Sequence, residues 1–600
     1  MPFLIALLLV VAVHVAMHVT TWTQVGLLAD DHHMVGGAIL RHRGVWTFDS
    51  MFLPEPVANA TNALYRPFID LGFWLEQPWF GIDALGYHVV NSAMHCATAI
   101  LWFVLVRRLL GSIAAAVAVA LLFVGWPGHS EALHWIAART DVQSTFFLSI
   151  ALVVLDRGLG RGPGPARAAR LWLAAAFAVF AVGSKESAVF VLPLAAMLCW
   201  LRAPAGLALR RRAFAGLRTV APMLCAVVAW LWWRASRIGT WGSGTHYGWH
   251  WQRVTAGSCA DWLSVLVAPV HADYTSSVWV VVLGVLHAAL LVVALCAWRT
   301  PGARRVVLVG GLLLLMGYLA GIGLEPMDPD TLENVRYTYE PALGLTALLG
   351  LGIATLPPRS RGAALAVLVL AHVIVLDGNR QSWLRAAAVY RRMEHDIGEV
   401  ALRTQAPIRV LDAPGVYEGA FALLNGFTEF RFMQEFAPAG ADLRGSVSST
   451  QEWRGVLREL AAAAAAGQVL ENTYTVQWDD GALVPFALDT QWPQQPWPEA
   501  TLGYACVART RPFAGSRLPV HVLVRTATQL ELQLRAQSGA RSWSDEPVQV
   551  FASAEPQTIG LRFELPPDVP AGASVEVQLV VRKGDDARVF ALGAAVLSAR

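Results

Sequence analysis

The stretch ALGYHVVNSAMHCATAILWFVLVRR, residues 84–108, decides the class of fold. Its middle is almost wholly apolar and long enough to cross a bilayer core, which takes ~20 residues. His88, Asn91 and His95 stand at i, i+3 and i+7 toward one end, on one helix face. Arg107 and Arg108 close the other end. Comparable apolar segments lie near 3–22, 83–106, 112–127, 141–155, 171–184, 187–201, 219–233, 278–298, 306–324, 338–356 and 362–376. They predict an α-helical polytopic membrane protein of about eleven transmembrane helices. The first segment lacks a basic leader and a small-residue cleavage site, so it reads as a helix and not as a signal peptide.

Composition agrees with that class. Of 600 residues, 55% are hydrophobic and only 15% charged, where soluble chains carry about 25% charged residues. A single core cannot hide so large an apolar excess, and disorder needs the opposite balance. A net charge of +3 is too mild for nucleic-acid binding. The six cysteines show no CxxC pair, so neither a disulfide framework nor a zinc site is expected.

Charge fixes an orientation. Linkers after every second segment hold sixteen arginines, from Arg107 and Arg108 to Arg359 and Arg361, against one acid, Asp156. All seventeen remaining acids of residues 1–376 lie in the other linkers or at the segment ends beside them. Positive-inside then puts the N-terminus in the cytoplasm and the acidic loops outside. Arginine- and alanine-rich composition suggests a bacterial inner membrane. Residues 377–600 hold 25 of the 43 acids and no long apolar run, so they read as an extracytoplasmic soluble domain. Residues 377–499 read as mixed α/β, with a helix from near Ser449 through the Ala461–Ala466 run. Residues 500–600 alternate apolar and polar, as in Leu530-Glu531-Leu532-Gln533-Leu534, which predicts a β-sandwich. Two outer loops, 23–82 and 234–277, are too long for connectors. In the second, 259–270 reads as an interfacial helix with Trp262, Leu263, Val265 and Leu266 on its apolar side.

Ionisable groups at bilayer depth cost about 2.5–3.5 kcal/mol, so those kept beside the spans are functional candidates. Asp30-Asp31-His32-His33 follows the first span. Crowding raises one carboxylate's pKa, so the pair can supply a general base or hold a divalent ion; a solvated acidic loop is the alternative. Tyr65-Arg66-Pro67 precedes the face of His88, Asn91 and His95, which can also serve simply to join helices. In 126–141, His129, Glu131, Arg139 and Asp141 are candidates, and Glu131 with Arg139 can instead form a structural ion pair along one helix. His129, Glu131 and His134 do not match the HExxH spacing, so no metal is expected there. Lys185, in Ser184-Lys185-Glu186, can neutralise a phosphate or pair with Glu186. Arg336, beside Tyr337 and Tyr339, can bind phosphate oxygens bidentately or belong to an ordinary aromatic belt.

The Asp30/Asp31 pair, Tyr65-Arg66-Pro67, His88-Val89-Val90-Asn91, Pro127-Gly128-His129-Ser130-Glu131-Ala132, Arg139-Thr140-Asp141, Ser184-Lys185-Glu186 and Arg336-Tyr337-Thr338-Tyr339-Glu340-Pro341 together resemble the GT-C membrane glycosyltransferases. The resemblance covers about residues 20–345 and is nearest to the transmembrane-and-TPR O-mannosyltransferases and the wider protein O-mannosyltransferase group. It implies inverting transfer of a sugar from a polyprenyl-phosphate donor to an acceptor hydroxyl on a protein, lipid or glycan. It also implies that Asp30 or Asp31 is the base, that Arg336 holds the lipid phosphate, and that 129–141 shapes the site. The chain carries no TPR repeats, and the family motif often reads His-Pro where this sequence has Trp126-Pro127-Gly128-His129, a small shift. No cofactor is required by this chemistry, although a divalent cation is compatible with it. Competing readings are a lipid-linked sugar flippase, which would need charges deep in several spans and repeat symmetry, and a non-catalytic envelope assembly protein.

Overall fold

The computed structural model describes residues 2–52, 65–160, 162, 164–203, 208–238, 251–323, 327–404, 408–411, 416–421, 447–450, 474–479, 482–485, 490–497, 500–505, 517–539, 541–564 and 573–596. The helices are α1 (Pro2–Gln24), α2 (Asp31–His42), α3 (Pro67–Phe80), α4 (Ala84–Leu110), α5 (Ile113–Val124), α6 (Ser130–His134), α7 (Arg139–Leu159), α8 (Pro165–Ser184), α9 (Val191–Arg202), α10 (Leu209–Ile238), α11 (Ala256–Val267), α12 (Val278–Cys296), α13 (Pro301–Gly321), α14 (Tyr339–Thr355) and α15 (Pro358–Thr404). The strands are β1 (Ile408–Leu411), β2 (Val416–Tyr417), β3 (Ala420–Phe421), β4 (Val447–Thr450), β5 (Tyr474–Asp479), β6 (Ala482–Pro485), β7 (Thr490–Trp497), β8 (Ala500–Ala505), β9 (Arg517–Thr526), β10 (Leu530–Ser538), β11 (Arg541–Ser544), β12 (Val548–Val550), β13 (Ser553–Glu564), β14 (Ser574–Lys583) and β15 (Asp586–Val596). Two units emerge: Met1–Ala388 with Val416–Ala422, and Val389–Gly415 with Leu423–Arg600.

Each of the eleven expected apolar segments is a helix in the first unit. Among the described residues, eight helices are long and apolar enough to cross a membrane, and α5 with Pro127–His134, bent by 45°, makes a ninth. The other two are shorter, at 12 residues for α9 and 17 for α14. The chain is a multi-pass helical membrane protein, and among the described residues nine of the eleven expected segments reach full spanning length. The expected boundary at 376/377 falls inside α15, a single 47-residue helix.

Local chemistry sets the helix ends. The Asp83 carboxylate accepts the Leu85 N–H at 3.0 Å and caps α4, and Gly111, at φ +79°, closes it in a conformation that side chains disfavour. Near the last turn of α4, Arg108 pairs with the fully buried carboxylate of Asp156, whose other oxygen meets Arg202 at 2.7 Å. The lone acid among the arginine-rich linkers thus ties α4, α7 and α9 together.

Helix α14 is the axis of this unit, buried at every position from Tyr339 to Ile353. Its glycines allow that enclosure. A Cβ at Gly344 would stand 2.3 Å from the carbonyl of Gly310 in α13, and one at Gly352 would stand 2.3 Å from that of Leu290 in α12. Small residues let membrane helices approach to backbone contact, where dispersion does the packing. On α15, Asn379 donates to the carbonyls of Pro127 and Pro269, at 3.1 and 2.8 Å, and accepts the N–H of His271. That amide fastens the Trp126-Pro127-Gly128 turn.

The long loops are more ordered than composition indicated. Residues 23–82 hold α2 and α3, a feature the apolar count passes over because neither is a span. The interfacial segment is α11, in which Trp262, Val265 and Leu266 are buried while Leu263 is 54% exposed. Leu263 was expected on the apolar side; burial follows the i, i+3, i+4 face, which excludes it.

In the second unit, β1 lies parallel between β4 and β5, with β6 antiparallel at the edge. Ser449 lies in strand β4 and not in a helix, and the Ala461–Ala466 run lies outside the described residues. Two antiparallel sheets, β11-β10-β14-β15 with β12 on β10, and β13-β9-β8-β7, share one core. Leu530, Leu532 and Leu534 meet Val522, Val524, Val577 and Leu579 there, so period-two alternation builds the expected sandwich.

Candidate functional site

Loop ends from α1, α5, α8 and α13 converge at one end of the first unit. Ala29, with φ +46°, turns the chain sharply after α1, a conformation strained for a residue with a side chain. The turn separates the two aspartates. Asp30 is the N-cap residue of α2, its side chain makes no cap bond, and it is half-buried. Asp31 is wholly buried; its carboxylate accepts the N–H of Leu28 at 2.8 Å and of Ala137 at 2.6 Å. Burial pushes the Asp31 carboxyl well above the ordinary range, against those two N–H groups, and the neighbouring charge of Asp30 adds to the rise. Asp31 therefore fastens the start of α2 to the Ile136–Ala138 turn.

The segment after α5 is broken by the extended backbone at Trp135 (φ −100°, ψ 115°), so Glu131 and Arg139 do not share one helix. The ion pair expected between them is not formed. Glu131 instead accepts the backbone N–H of Arg336 at 3.0 Å and pairs through its other oxygen with the Arg336 guanidinium. Arg139 is fully buried and pairs with Glu76 at 2.7 Å, donates to Asn91 at 2.5 Å and lies 4.2 Å over the Phe73 ring. Asn91 also donates to the Ile136 carbonyl. Arg139 and Asn91 thus hold the loop against α3 and α4.

Two cations share one aromatic ring. The Arg336 guanidinium lies 4.5 Å from the centre of Tyr337 and donates to its hydroxyl at 3.1 Å, while Lys185 Nζ lies 4.6 Å from the same ring. Lys185 pairs with Asp141, a partner 44 residues away in sequence and not the adjacent Glu186. Glu186 is taken by Arg66 at 3.2 Å and Arg234 at 3.0 Å. Burial pushes the Glu186 carboxyl up, but the two guanidinium groups outweigh it and hold it below the usual range. Arg66 therefore belongs to this neighbouring cluster, joined to the first by the Ser184-Lys185-Glu186 turn.

The remaining sequence candidates sit deeper. His88 is buried on α4, and His95 bonds the Tyr339 hydroxyl at 2.7 Å. His129 packs against His95, Phe123 and Tyr339, among the bundle's buried rings, and not in the Arg336–Lys185 cluster. His134 is bonded to Thr21 and to the Ser130 carbonyl, so His129, Glu131 and His134 have separate surroundings. Sequence reasoning missed Glu76, Arg234 and Phe421. Phe421, on the β2–β3 hairpin, lies 4.7 Å from the Trp135 ring and 5.3 Å from the Arg336 guanidinium. Arg234 carried a signal, being an arginine near the end of α10 opposite its arginine-rich start. Glu76 and Phe421 carried none, since each is defined by its partner.

No family model matches the chain. Over 155 residues it is 32% identical to the protein O-mannosyl-transferase Tmtc1 of Drosophila melanogaster, covering 25% of this chain and 17% of that protein. Over 95 residues it is 35% identical to the protein O-mannosyl-transferase tmtc2 of Xenopus laevis, covering 16% and 11%. The chain thus spans less than a fifth of the length of these relatives. Similar solved structures include ArnT from Cupriavidus metallidurans bound to undecaprenyl phosphate, with TM-score 0.47 and 15% identity, covering 79% of this chain and 93% of that one. They also include the oligosaccharyltransferase AglB from Archaeoglobus fulgidus in complex with an inhibitory peptide and a dolichol-phosphate, with TM-score 0.43 and 9% identity, covering 100% and 98%. Over a quarter of its length, the chain is similar in sequence to the protein O-mannosyl-transferase Tmtc1.

Proposed function

We propose that this protein is an inverting membrane glycosyltransferase that moves a sugar from a polyprenyl-phosphate carrier to an acceptor hydroxyl at the extracytoplasmic face of a bacterial inner membrane. One observation carries the reading. The Trp135–Ala138 turn is bonded to Asp31 and packs against the guanidinium of Arg336. Asp31 bonds the Ala137 N–H, and the Arg336 guanidinium lies 5.2 Å from the Trp135 ring. One short turn thus touches both the aspartate next to Asp30 and the guanidinium of Arg336.

In this reading Asp30 is the base. Its side chain is half-buried, whereas the wholly buried Asp31 is spent on backbone contacts. Asp30 takes the acceptor proton as the oxygen attacks the anomeric carbon, and the lipid phosphate leaves. Arg336 and Lys185 stabilise the charge that develops on that phosphate, the largest usual term in such catalysis. Both cations already carry an acidic partner, Glu131 and Asp141, which keeps them paired before the donor arrives. No metal is needed for these steps, and a divalent ion beside Asp30 is compatible with them. The relatives' names support transfer of mannose to protein, and the sugar and acceptor class here are part of the proposal.

The test is incubation of purified protein with radiolabelled polyprenyl-phosphate sugar and cell-envelope acceptors. Transfer that depends on Asp30 and Arg336 supports the reading. Movement of the lipid between leaflets without transfer would replace it with a flippase, and neither activity would leave an assembly role.

A further inference from the structure

We infer that His14, His18 and His95 form a binding site for a divalent transition-metal ion of the zinc type inside the helical bundle, separate from the carboxylates and cations of the proposed transfer site. His14 and His18 are one helical turn apart on α1 and share a face, and His95 approaches them from α4. All three are buried, at 3%, 2% and 0% exposure. One ring nitrogen from each lies within 4.8 Å of the others.

The rings are oriented as ligands are. In each, one nitrogen is anchored: His14 Nε2 to the Ser92 hydroxyl at 2.8 Å, His18 Nε2 to the Val124 carbonyl at 3.2 Å, and His95 Nδ1 to the Tyr339 hydroxyl at 2.7 Å. Such outer bonds fix the tautomer and aim the second nitrogen, an arrangement typical of metal-bound histidine. They leave His14 Nδ1, His18 Nδ1 and His95 Nε2 for the ion. His14 Nδ1 is buried without a partner, and His95 Nε2 has only a loose 3.5 Å contact with the Val124 carbonyl. A fourth imidazole, His129, packs 4.9 Å from His95 by ring centres, with both nitrogens buried and unpartnered.

A ring that donates outward, as His18 Nε2 does to the Val124 carbonyl, keeps a lone pair on its other nitrogen, and lone pairs converging in an apolar interior repel until a shared cation takes them up. Imidazole suits zinc, copper, nickel and iron, while magnesium and calcium prefer oxygen. Zinc–nitrogen bonds of about 2.0–2.1 Å in a tetrahedron put the nitrogens about 3.3 Å apart, so closure asks for a shift of roughly an ångström shared among three side chains. Six residues separate His18 from the end of α1, about 9 Å along the helix. Bound there, it would cross-link α1 to α4 and, through Tyr339, to the start of α14, three residues beyond Arg336.

Full-length protein, stripped with chelator in detergent and incubated with zinc alone, should retain one equivalent after desalting. Zinc X-ray absorption should show at least three nitrogen neighbours near 2.0–2.1 Å. The His14→Ala/His18→Ala double variant should lose that equivalent, and His287→Ala, which alters a different buried histidine pair, should keep it. No retained zinc in the wild-type protein, a shell built from sulfur, or uptake that follows His287 and not His14 and His18 would each overturn the proposal. The absorption measurement needs only wild-type protein, so it decides even if the double variant fails to fold.

Discussion

Arg336 and Glu131 stand 205 residues apart in sequence and are joined twice, by the backbone N–H of Arg336 and by its guanidinium, each to a different oxygen of one carboxylate. Glu131 is almost fully buried and Arg336 nearly so, at 1% and 13% side-chain exposure. Removing one partner of such a pair leaves a buried charge without compensation, a loss of about 3–5 kcal/mol. Arg336→Ala should therefore lower stability by that order and abolish binding of a polyprenyl-phosphate donor. The double variant Arg336→Ala/Glu131→Ala should recover most of the stability without recovering donor binding. Thermal unfolding and donor binding measured on both variants separate the two roles. Donor binding restored in the double variant would remove Arg336 from the phosphate site.

The two aspartates should respond differently to the same change. Asp30→Asn should reduce turnover by about 10²–10⁴-fold, the usual value of general base catalysis, and leave thermal stability close to wild type. Asp31→Asn should destabilise by about 1–3 kcal/mol, because its amide turns a donor toward the N–H of Leu28 or Ala137. Initial rates and unfolding midpoints for both variants check this. The reverse pattern would make Asp31 the base.

Glu186 predicts the direction of an acid effect. Arg66 and Arg234 hold its carboxyl below the ordinary value of 4.5. Its contribution to stability is then full above about pH 4.5 and lost as pH falls through the lower folded value. Unfolding midpoints of wild type should fall in that acid range, and Glu186→Gln should have a flatter acid limb from a lower starting midpoint. Identical slopes would assign the acid limb to other groups.

Helix α14 tolerates no bulk at its crossing with α13. A Cβ at Gly344 would meet the Gly310 carbonyl at 2.3 Å and the Leu314 N at 2.7 Å, and both are backbone atoms that cannot swing away. Gly344→Val should cost at least the ~1–3 kcal/mol typical of overpacking, seen as a lower unfolding midpoint. Gly362→Ala, with open space around it, should be near neutral. Equal midpoints for the two would mean that α13 and α14 are not in backbone contact.

Much of the membrane unit was legible in sequence because lipid imposes its rule locally. A chain in hydrocarbon must satisfy its backbone within each segment and show an apolar surface, so each helix declares itself by its own composition. Lys185 and Arg336 stood out for the same reason, as ionisable residues kept where they are costly. The sandwich core was legible too, since side chains alternate across a strand whatever its partners.

Partner choice belonged to the tertiary structure. The chain alone left Glu131 to pair with Arg139 and Lys185 with Glu186, because spacing sees only neighbours. Folding pairs them with Arg336 and Asp141, and it divides the adjacent aspartates into a buried fastener and a half-buried base candidate through one strained turn at Ala29. The histidines of α1 went unremarked for the same cause. The 5.5 and 5.7 Å between their rings and that of His95 on α4 follow from packing and backbone direction, which no single segment encodes, whereas apolar length and charge placement are properties of each segment by itself.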